Sequence, residues 1–460
     1  GRGWGICIDG NYLIGWVCLD CAAKAMNEKI LLLNVHSSMN IGDAALLQGA
    51  LQQLALNFPT GTVTLGMNNP ESYQGSEKVI PSIFSWVHPV RAQAGRFWKV
   101  GGLILLLPAT LVPALSQRWI GRSIYWLTPP SLRRIVKAYL DADLVVSAPG
   151  GYLFSSAHGI SLLIVMYTLA LALIAGKPVY LLPQSIGPIR HTWESRLLRW
   201  LLERVRIVMV REPVSMQLLQ SWRLKNPRLY LLPDMAFTLP VADPDDGIAW
   251  LSEQGIDPGD GRPRLGMTII NGGATDHGFR RQNAYENACA AAARWFVRQT
   301  GGRVIFLPQV WGPTPDQDDR LPARRVAAQL QDLNDAILCV DKPLSTEVLK
   351  AVYGQMDLFV GTRMHSNIFA IGEGVPMIAI GYQHKTWGIA AMAGLSEWVL
   401  DIQQVDEISL VSRMEALWLN REACRQQLRQ VLPGLIQGAQ QAGVMVADDY
   451  AGLTQEKRNG

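Results

Sequence analysis

The chain has 460 residues, too many for one ordinary core and suited to two or three domains. Charged residues make up 17% and hydrophobic residues 49%; the charged share lies under the roughly 25% of a typical soluble protein. With a net charge of only +4, this excludes a disordered chain and leaves a globular one with much buried sheet, or one that also touches lipid.

The chain begins at Gly1. Residues 1–25 lack a basic segment followed by an apolar core, so they are read as a non-native or disordered extension and not as a signal peptide. Met26 leads directly into a first strand, Ile30 to Val35. Further strands are expected at Thr62–Gly66, Leu144–Ser147, Val179–Pro183, Ile207–Val210 and Leu229–Leu232. A second series is expected at Leu265–Asn271, Val304–Pro308, Ala336–Val340, Leu358–Thr362, Met377–Gly381 and Trp398–Ile402. Most are continuous apolar runs, as parallel strands covered on both faces should be, and helical patterns lie between them. The expected fold is α/β, with two doubly wound Rossmann-like domains facing each other across a cleft. The first spans 26–240 and the second 264–420. A Pro/Gly/Asp-rich linker at 241–263 joins them, and a C-terminal helix with a loose polar tail fills 421–460.

Six cysteines show no spacing that completes a zinc site, although Cys18 and Cys21 form a CxxC. Reduced thiols and a reducing compartment fit best. The aspartates Asp316, Asp318 and Asp319 follow Pro313 and Pro315 and read as a solvated loop, so no metal is expected.

An insertion at 78–140 stands apart. It contains no Asp or Glu, yet holds Lys78, Arg91, Arg96, Lys99, Arg118, Arg122, Arg133, Arg134 and Lys137 beside Trp86, Trp98, Trp119 and Trp126. Its apolar run from Val100 to Leu115 is interrupted by Pro108 and Pro113 and is too short to span a bilayer. Cations interleaved with Trp and Leu suit the headgroup region of an anionic membrane. Peripheral membrane contact is therefore expected, and nucleic acid is not. The bland alternative is an insertion packed on its own domain with solvated charges.

The most informative stretch is Met356 to Lys385. A buried strand ends at Gly361-Thr362, and Arg363 and His365 follow at once at the start of a helix. A second buried strand ends just before Tyr382 and Lys385. Ligands of open parallel sheets bind where strands end and helices begin. Three cationic or titratable side chains there, beside helix N-termini, point to a small multiply charged anion. Near the start, Asn40, Gly42 and Asp43 occupy a strand-to-helix loop. Asp43 there is either a helix cap or a base facing the cleft. Other strand-end loops carry Gly150 and Gly151, Gln184 and Gly187, Arg211, and Asp234.

In order, the segments NIGDAALL, SAPGG, GKPVYLLPQSIGP, VREPVS, PDMAF, GTRMHS and GVPMIAIGYQHK resemble the polysaccharide pyruvyl transferase family, and most closely its colanic-acid type. The resemblance covers roughly residues 29–400. It implies a GT-B-like fold and transfer of the pyruvate unit of phosphoenolpyruvate onto two sugar hydroxyls as a ketal. It places Arg363 and His365 at the donor, with Arg211 as a second anion anchor; Lys385 is added from its position and charge. His365 is the expected acid and Asp43 the expected base, with Glu373 as second choice. Asn40, Gly42, Gly150, Gly151, Gln184, Gly187, Asp234 and Glu373 are assigned to cleft and acceptor loops. No cofactor is expected besides phosphoenolpyruvate as substrate. The partner is a sugar acceptor, lipid-linked if the membrane reading holds. The expected location is the cytoplasm, peripheral on the inner membrane's cytoplasmic face. Two rivals remain. Glu373-Gly374-Val375-Pro376 resembles the donor side of nucleotide-sugar glycosyltransferases, and a non-catalytic scaffold of a polysaccharide assembly complex would carry the same surface.

Overall fold

The computed structural model describes residues 5–8, 11–14, 27–87, 96–155, 160–225, 228–272, 279, 281–312 and 315–459. Gly5–Ile8 and Asn11–Ile14 pair as an antiparallel ribbon; the rest of 1–25, with Cys18 and Cys21, lies outside the described residues.

The first sheet contains β1 (Lys29–Val35), β2 (Thr62–Met67), β3 (Lys78–Pro81), β4 (Leu144–Ser147), β5 (Gly150–Leu153), β6 (Val179–Ile186), β7 (Ile207–Val210) and β8 (Leu229–Leu231). Its spatial order is β8-β7-β6-β4-β1-β2-β3, with the short β5 beside β6. The second contains β9 (Arg264–Thr268), β10 (Arg303–Phe306), β11 (Ile337–Cys339), β12 (Leu358–Gly361), β13 (Met377–Gly381) and β14 (Val399–Asp401), in the order β11-β10-β9-β12-β13-β14. The pairings within both sheets are parallel. In both, the strand order reverses beside the domain's first strand. This creates two switch points, between β1 and β4 and between β9 and β12, where a crevice opens past the strands' carboxyl ends.

Strand β1 shows why the runs are continuously apolar. Ile30 and Leu32 join one buried cluster, whereas Leu31 and Leu33 join another on the opposite face. Successive side chains point to opposite faces, and here both faces are covered. The strands expected from apolar runs are all present, and β3 and β5 are added.

The helices include α1 (Ile41–Asn57), α2 (Arg96–Ile120), α3 (Pro130–Asp141), α4 (Ile160–Ile174), α5 (Thr192–Leu202) and α6 (Pro213–Ser221). After them come α7 (Pro244–Glu253), α8 (Gln282–Thr300), α9 (Arg320–Ala328), α10 (Thr346–Gly354), α11 (Met364–Gly372), α12 (His384–Met392) and α13 (Glu407–Asn459). Among the described residues no helix is long and apolar enough to cross a membrane.

The linker between the domains contains α7. Asp243 caps α7 by accepting from the Asp245 amide, and Gly247 lets α7 lie directly on the Ala351 carbonyl of α10. The segment read as a loose tail is the last part of α13. This helix packs on α8 of the second domain and then returns to α1 and β6 of the first. Asp449 near its end is buried and accepts from Tyr180 (2.8 Å) and twice from Arg206 (2.9 and 2.8 Å), and it also pairs with Arg228. Polar composition hid a side chain that is an anchor.

Asp449→Ala should leave the buried Tyr180 hydroxyl and the Arg206 head without their acceptor. The expected cost is about 2 kcal/mol of unfolding free energy, read from the urea midpoint. An unchanged midpoint would mean that the helix end is held by apolar contacts alone.

Candidate functional site

A cavity of about 210 Å³ lies where the two switch points face each other. The first domain contributes His36, Asn40 and Asp43 from the loop after β1 and the start of α1. It also contributes Gly150, Gly151, Tyr152 and Phe154 around β5, and Arg211 after β7. Gln309 after β10, Arg363, Met364 and His365 after β12, and Tyr382 and Lys385 after β13 come from the second domain.

The domains touch at this point. The Ile41 amide donates to the Gln309 carbonyl, and Asn40 bridges to Val310. Gly42 permits the approach, because a Cβ there would lie 2.0 Å from Nδ1 of His365. Gly151 has a similar role within the cavity. Its missing side chain leaves space for Arg211 Nη2, 3.0 Å from the ideal Cβ position, and for Lys385 Nζ, 3.8 Å from it. The two cations therefore converge above one glycine.

Each arginine is fixed from behind. The guanidinium of Arg211 is 1% exposed. Its Nε donates to Ser185 Oγ (2.8 Å) and its Nη1 to Asp234 Oδ2 (2.5 Å), while Glu212 stands 3.8 Å away. Asp234 is held in turn by the Ala236 amide. Arg363 makes a two-pronged contact with Asp319, through Nε (3.1 Å) and Nη2 (2.7 Å). Asp319 also accepts from the Gln309 and Val310 amides. Planar, bidentate pairing of this kind fixes direction as well as charge.

Both helix starts are electrically unusual. Arg363 is the N-cap of α11 and Gln383 that of α12, and neither side chain caps its helix. The positive end of the dipole thus meets Arg363, His365 and Lys385, where acidic residues would normally be favoured. Burial, helped by Arg211 and Lys385, outweighs Asp234 and Asp43 and holds the His365 imidazole down at about 4. Its Nε2 is enclosed without a hydrogen-bond partner among the described residues. Burial followed by Arg211 pushes the Lys385 ammonium down to about 8, against Glu212 and Asp43. The site is a small concavity whose wall carries Arg211, Arg363 and Lys385 beside one carboxylate, Asp43, while the carboxylates that pair the arginines stand behind them.

Asp43, Asn40, Gly150, Gly151, Arg211, Arg363, His365 and Lys385 thus come together. Five assigned residues do not line the cavity. Gln184 is buried behind it and donates to Ser147, Ala148 and Tyr152. Gly187 sits in a turn against Leu218, and Asp234 acts through Arg211. Glu373 caps the far end of α11, paired with Lys350 at 3.3 Å and facing the Ala242 amide; it is remote from His365. Gly42 abuts His365 without lining the space.

Other participants were not expected. Asp319 was read as part of a solvated acidic loop, yet it is 1% exposed and holds Arg363. Tyr382 was noted past a strand end but given no role, and Tyr152 and Gln309, ordinary residues at strand ends, gave no signal.

Lys385→Met preserves side-chain volume and removes a charge that no hydrogen bond or ion pair engages among the described residues. The melting temperature without ligand should hold or rise. Inorganic phosphate should stabilise the native chain, by about 2.7 kcal/mol at a hundred times Kd, and stabilise this variant much less. Equal phosphate shifts in thermal melts of the two proteins would remove Lys385 from the anion site.

Residues 40–384 match the polysaccharide pyruvyl transferase family. The amylovoran biosynthesis protein AmsJ of Erwinia amylovora is 24% identical over 422 residues, covering 87% of this chain and 94% of that protein. Among solved structures, Anabaena Alr3699/HepE in complex with UDP and glucose aligns with a TM-score of 0.52 at 13% identity, over 92% of this chain and all of that one. The Neisseria meningitidis UDP-GlcNAc 2-epimerase bound to UDP-GlcNAc aligns with a TM-score of 0.52 at 11% identity, over 91% and 98%. These likenesses establish the GT-B architecture of two facing parallel sheets. The chain belongs to the polysaccharide pyruvyl transferase family.

Proposed function

We propose that the cavity binds phosphoenolpyruvate and that the protein transfers its enolpyruvyl unit to a sugar of an exopolysaccharide repeat, closing a pyruvate ketal. The carrying observation is the convergence of Arg211, Arg363, Lys385 and His365 on one concavity of about 210 Å³. Phosphoenolpyruvate brings a phosphate and a carboxylate on three carbons. That matches a small space with two directed guanidinium groups and an ammonium.

In the proposed sequence a proton is delivered to the methylene carbon, which makes C2 electrophilic. One sugar hydroxyl attacks C2 and gives its proton to a base; Asp43 at the first turn of α1 faces the cavity for this. The C2–O bond to phosphate breaks, and the arginines and Lys385 stabilise the departing anion. The second hydroxyl closes the ketal, and its proton leaves with phosphate. His365 is the acid. Unliganded, it is neutral near pH 7, so it must gain its proton when the anion arrives; two or three negative charges beside it would raise its pKa. The acceptor is read as lipid-linked, with the protein peripheral on a cytoplasmic membrane face.

A nucleotide-sugar glycosyltransferase is less well supported. Glu373, the residue that suggested it, is engaged by Lys350 away from the cavity, and the space is below the roughly 300 Å³ at which pockets for larger ligands begin.

Incubation with phosphoenolpyruvate, UDP-sugars and a panel of lipid-linked oligosaccharides should consume phosphoenolpyruvate and release inorganic phosphate. His365→Ala should slow release by about 10²–10⁴-fold. Consumption of a UDP-sugar instead would sink the proposal.

Donor binding should also take up protons. Between about 4 and the raised value in the complex, the bound state holds a proton that the free protein lacks, so affinity tightens as pH falls through that window. Calorimetry in buffers of different ionisation heat should show uptake that shrinks in His365→Asn. Unchanged uptake would move the acid role elsewhere.

A further inference from the structure

Helix α2 is apolar on both sides. Leu106, Ala109, Thr110 and Ala114 face inward and are buried. On the opposite side Ile104, Leu107, Leu111, Leu115 and Trp119 recur at intervals of three and four, the spacing of one helical stripe. Ile104 is 66% exposed and Trp119 is 80% exposed; Leu107 and Leu115 are exposed and Leu111 half-buried. The turn after the helix adds exposed Ile120, Ile124 and Trp126, the last at 78%. Leu111 packs partly on the core, and the exposed members on either side of it, Ile104 and Leu107, Leu115 and Trp119, with Ile120, Ile124 and Trp126 beyond, form an apolar surface of the kind that marks a contact face.

The surrounding charge selects the occupant. From Lys78 to Leu140 no acidic residue occurs. Arg122, Arg133 and Arg134 are exposed around the turn and the following helix, with Arg133 lying over the Tyr125 ring. Arg118 donates to the last carbonyls of α4, Leu173 and Ile174, and so docks the end of α2 in place. A second copy of this chain would bring the same cations face to face without counter-charge. An anionic bilayer offers the complement: headgroup phosphates for the arginines, interfacial depth for the two tryptophans, and acyl chains for the leucines.

We propose that α2 and the turn through Trp126 dock the protein on anionic phospholipid, with the outer stripe of α2 lying in the interface plane. The proposal rests on the peripheral placement read above and assigns it to one face. Interfacial docking needs no span, so the two prolines inside α2, which argue against one, are no obstacle.

The test uses the full chain with vesicles of phosphatidylcholine alone or mixed with phosphatidylglycerol, separated by flotation. The native protein should float with the mixed vesicles and not with phosphatidylcholine alone, and high salt should weaken binding. Arg122→Gln and Arg133→Gln should each weaken partition roughly fivefold, and Trp119→Ser with Trp126→Ser should abolish it. These positions are exposed, so far-UV melts and phosphate stabilisation should match the native protein in all variants. Absence of flotation, equal flotation on both vesicles, or flotation unchanged in the variants overturns the proposal. A native dimer by light scattering that the tryptophan variants break would assign the face to a second copy. If phosphate fails to stabilise the native chain while flotation behaves as expected, the donor-site reading falls and the docking face stands.

Discussion

Positive charge placed against the positive ends of two helices is the constraint on which the site depends. Arg363 caps α11, His365 lies in its first turn, and Lys385 lies in the first turn of α12. Each such placement costs about 0.3–1 kcal/mol relative to a neutral or acidic residue. The surrounding structure offsets this only in part. Asp319 balances Arg363, and Asp234 with Glu212 balances Arg211. The remaining carboxylate on the cavity wall, Asp43, belongs to the other domain and reaches Lys385 and His365 through space. The carboxylates that pair the arginines stand behind them, so the cationic groups of both domains are the ones presented to the cavity.

Two glycines bring those cationic groups into one site. Gly42 allows α1 to come against the His365 ring, and Gly388 allows α12 to come against Glu212, where a Cβ would lie 2.5 Å from the carboxylate's own Cβ. Both are contacts between domains. Any side chain at either position would separate the halves and expose the cations to water, where high dielectric weakens them. Close approach of the backbones and low dielectric at the cavity are one requirement.

Much of this was legible in the sequence. Buried parallel strands are nearly uniform apolar runs, so the strand series and the two-domain order could be read directly. Cations immediately past strand ends are also local features, and Arg211, Arg363, His365 and Lys385 could be found that way. What could not be read is how distant acidic residues pair. Asp319 stands in a run of prolines and aspartates that looks solvated, and only the return of that loop over β12 buries it. Glu373 follows the same helix as His365, but nine-residue helices separate their ends, so its sequence proximity misleads. Asp449 sits in a polar helix whose inward side becomes evident only when β6 and β7 are laid beside it. Local composition reports a residue's own solvent preference; pairing across a hundred positions is a property of the fold.

The long C-terminal helix explains why the cleft can stay narrow. α13 starts on the second domain beside α8, crosses, and ends on the first with Asp449 held by Tyr180 and Arg206. Along the way Gly438 and Gly443 bring it against Pro233 and Gln53, next to the loop that carries Asp234. A single helix, with Pro433 inside it, therefore contacts the second domain, the first domain and the loop that supports Arg211. Hinge opening about the linker alone would have to break these contacts, and the linker is itself docked through α7 on α10. A cavity of about 210 Å³ suits the three-carbon donor proposed above better than a nucleotide sugar laid along the interdomain groove. The length of α13 and the small volume at the switch points are two consequences of the same restraint.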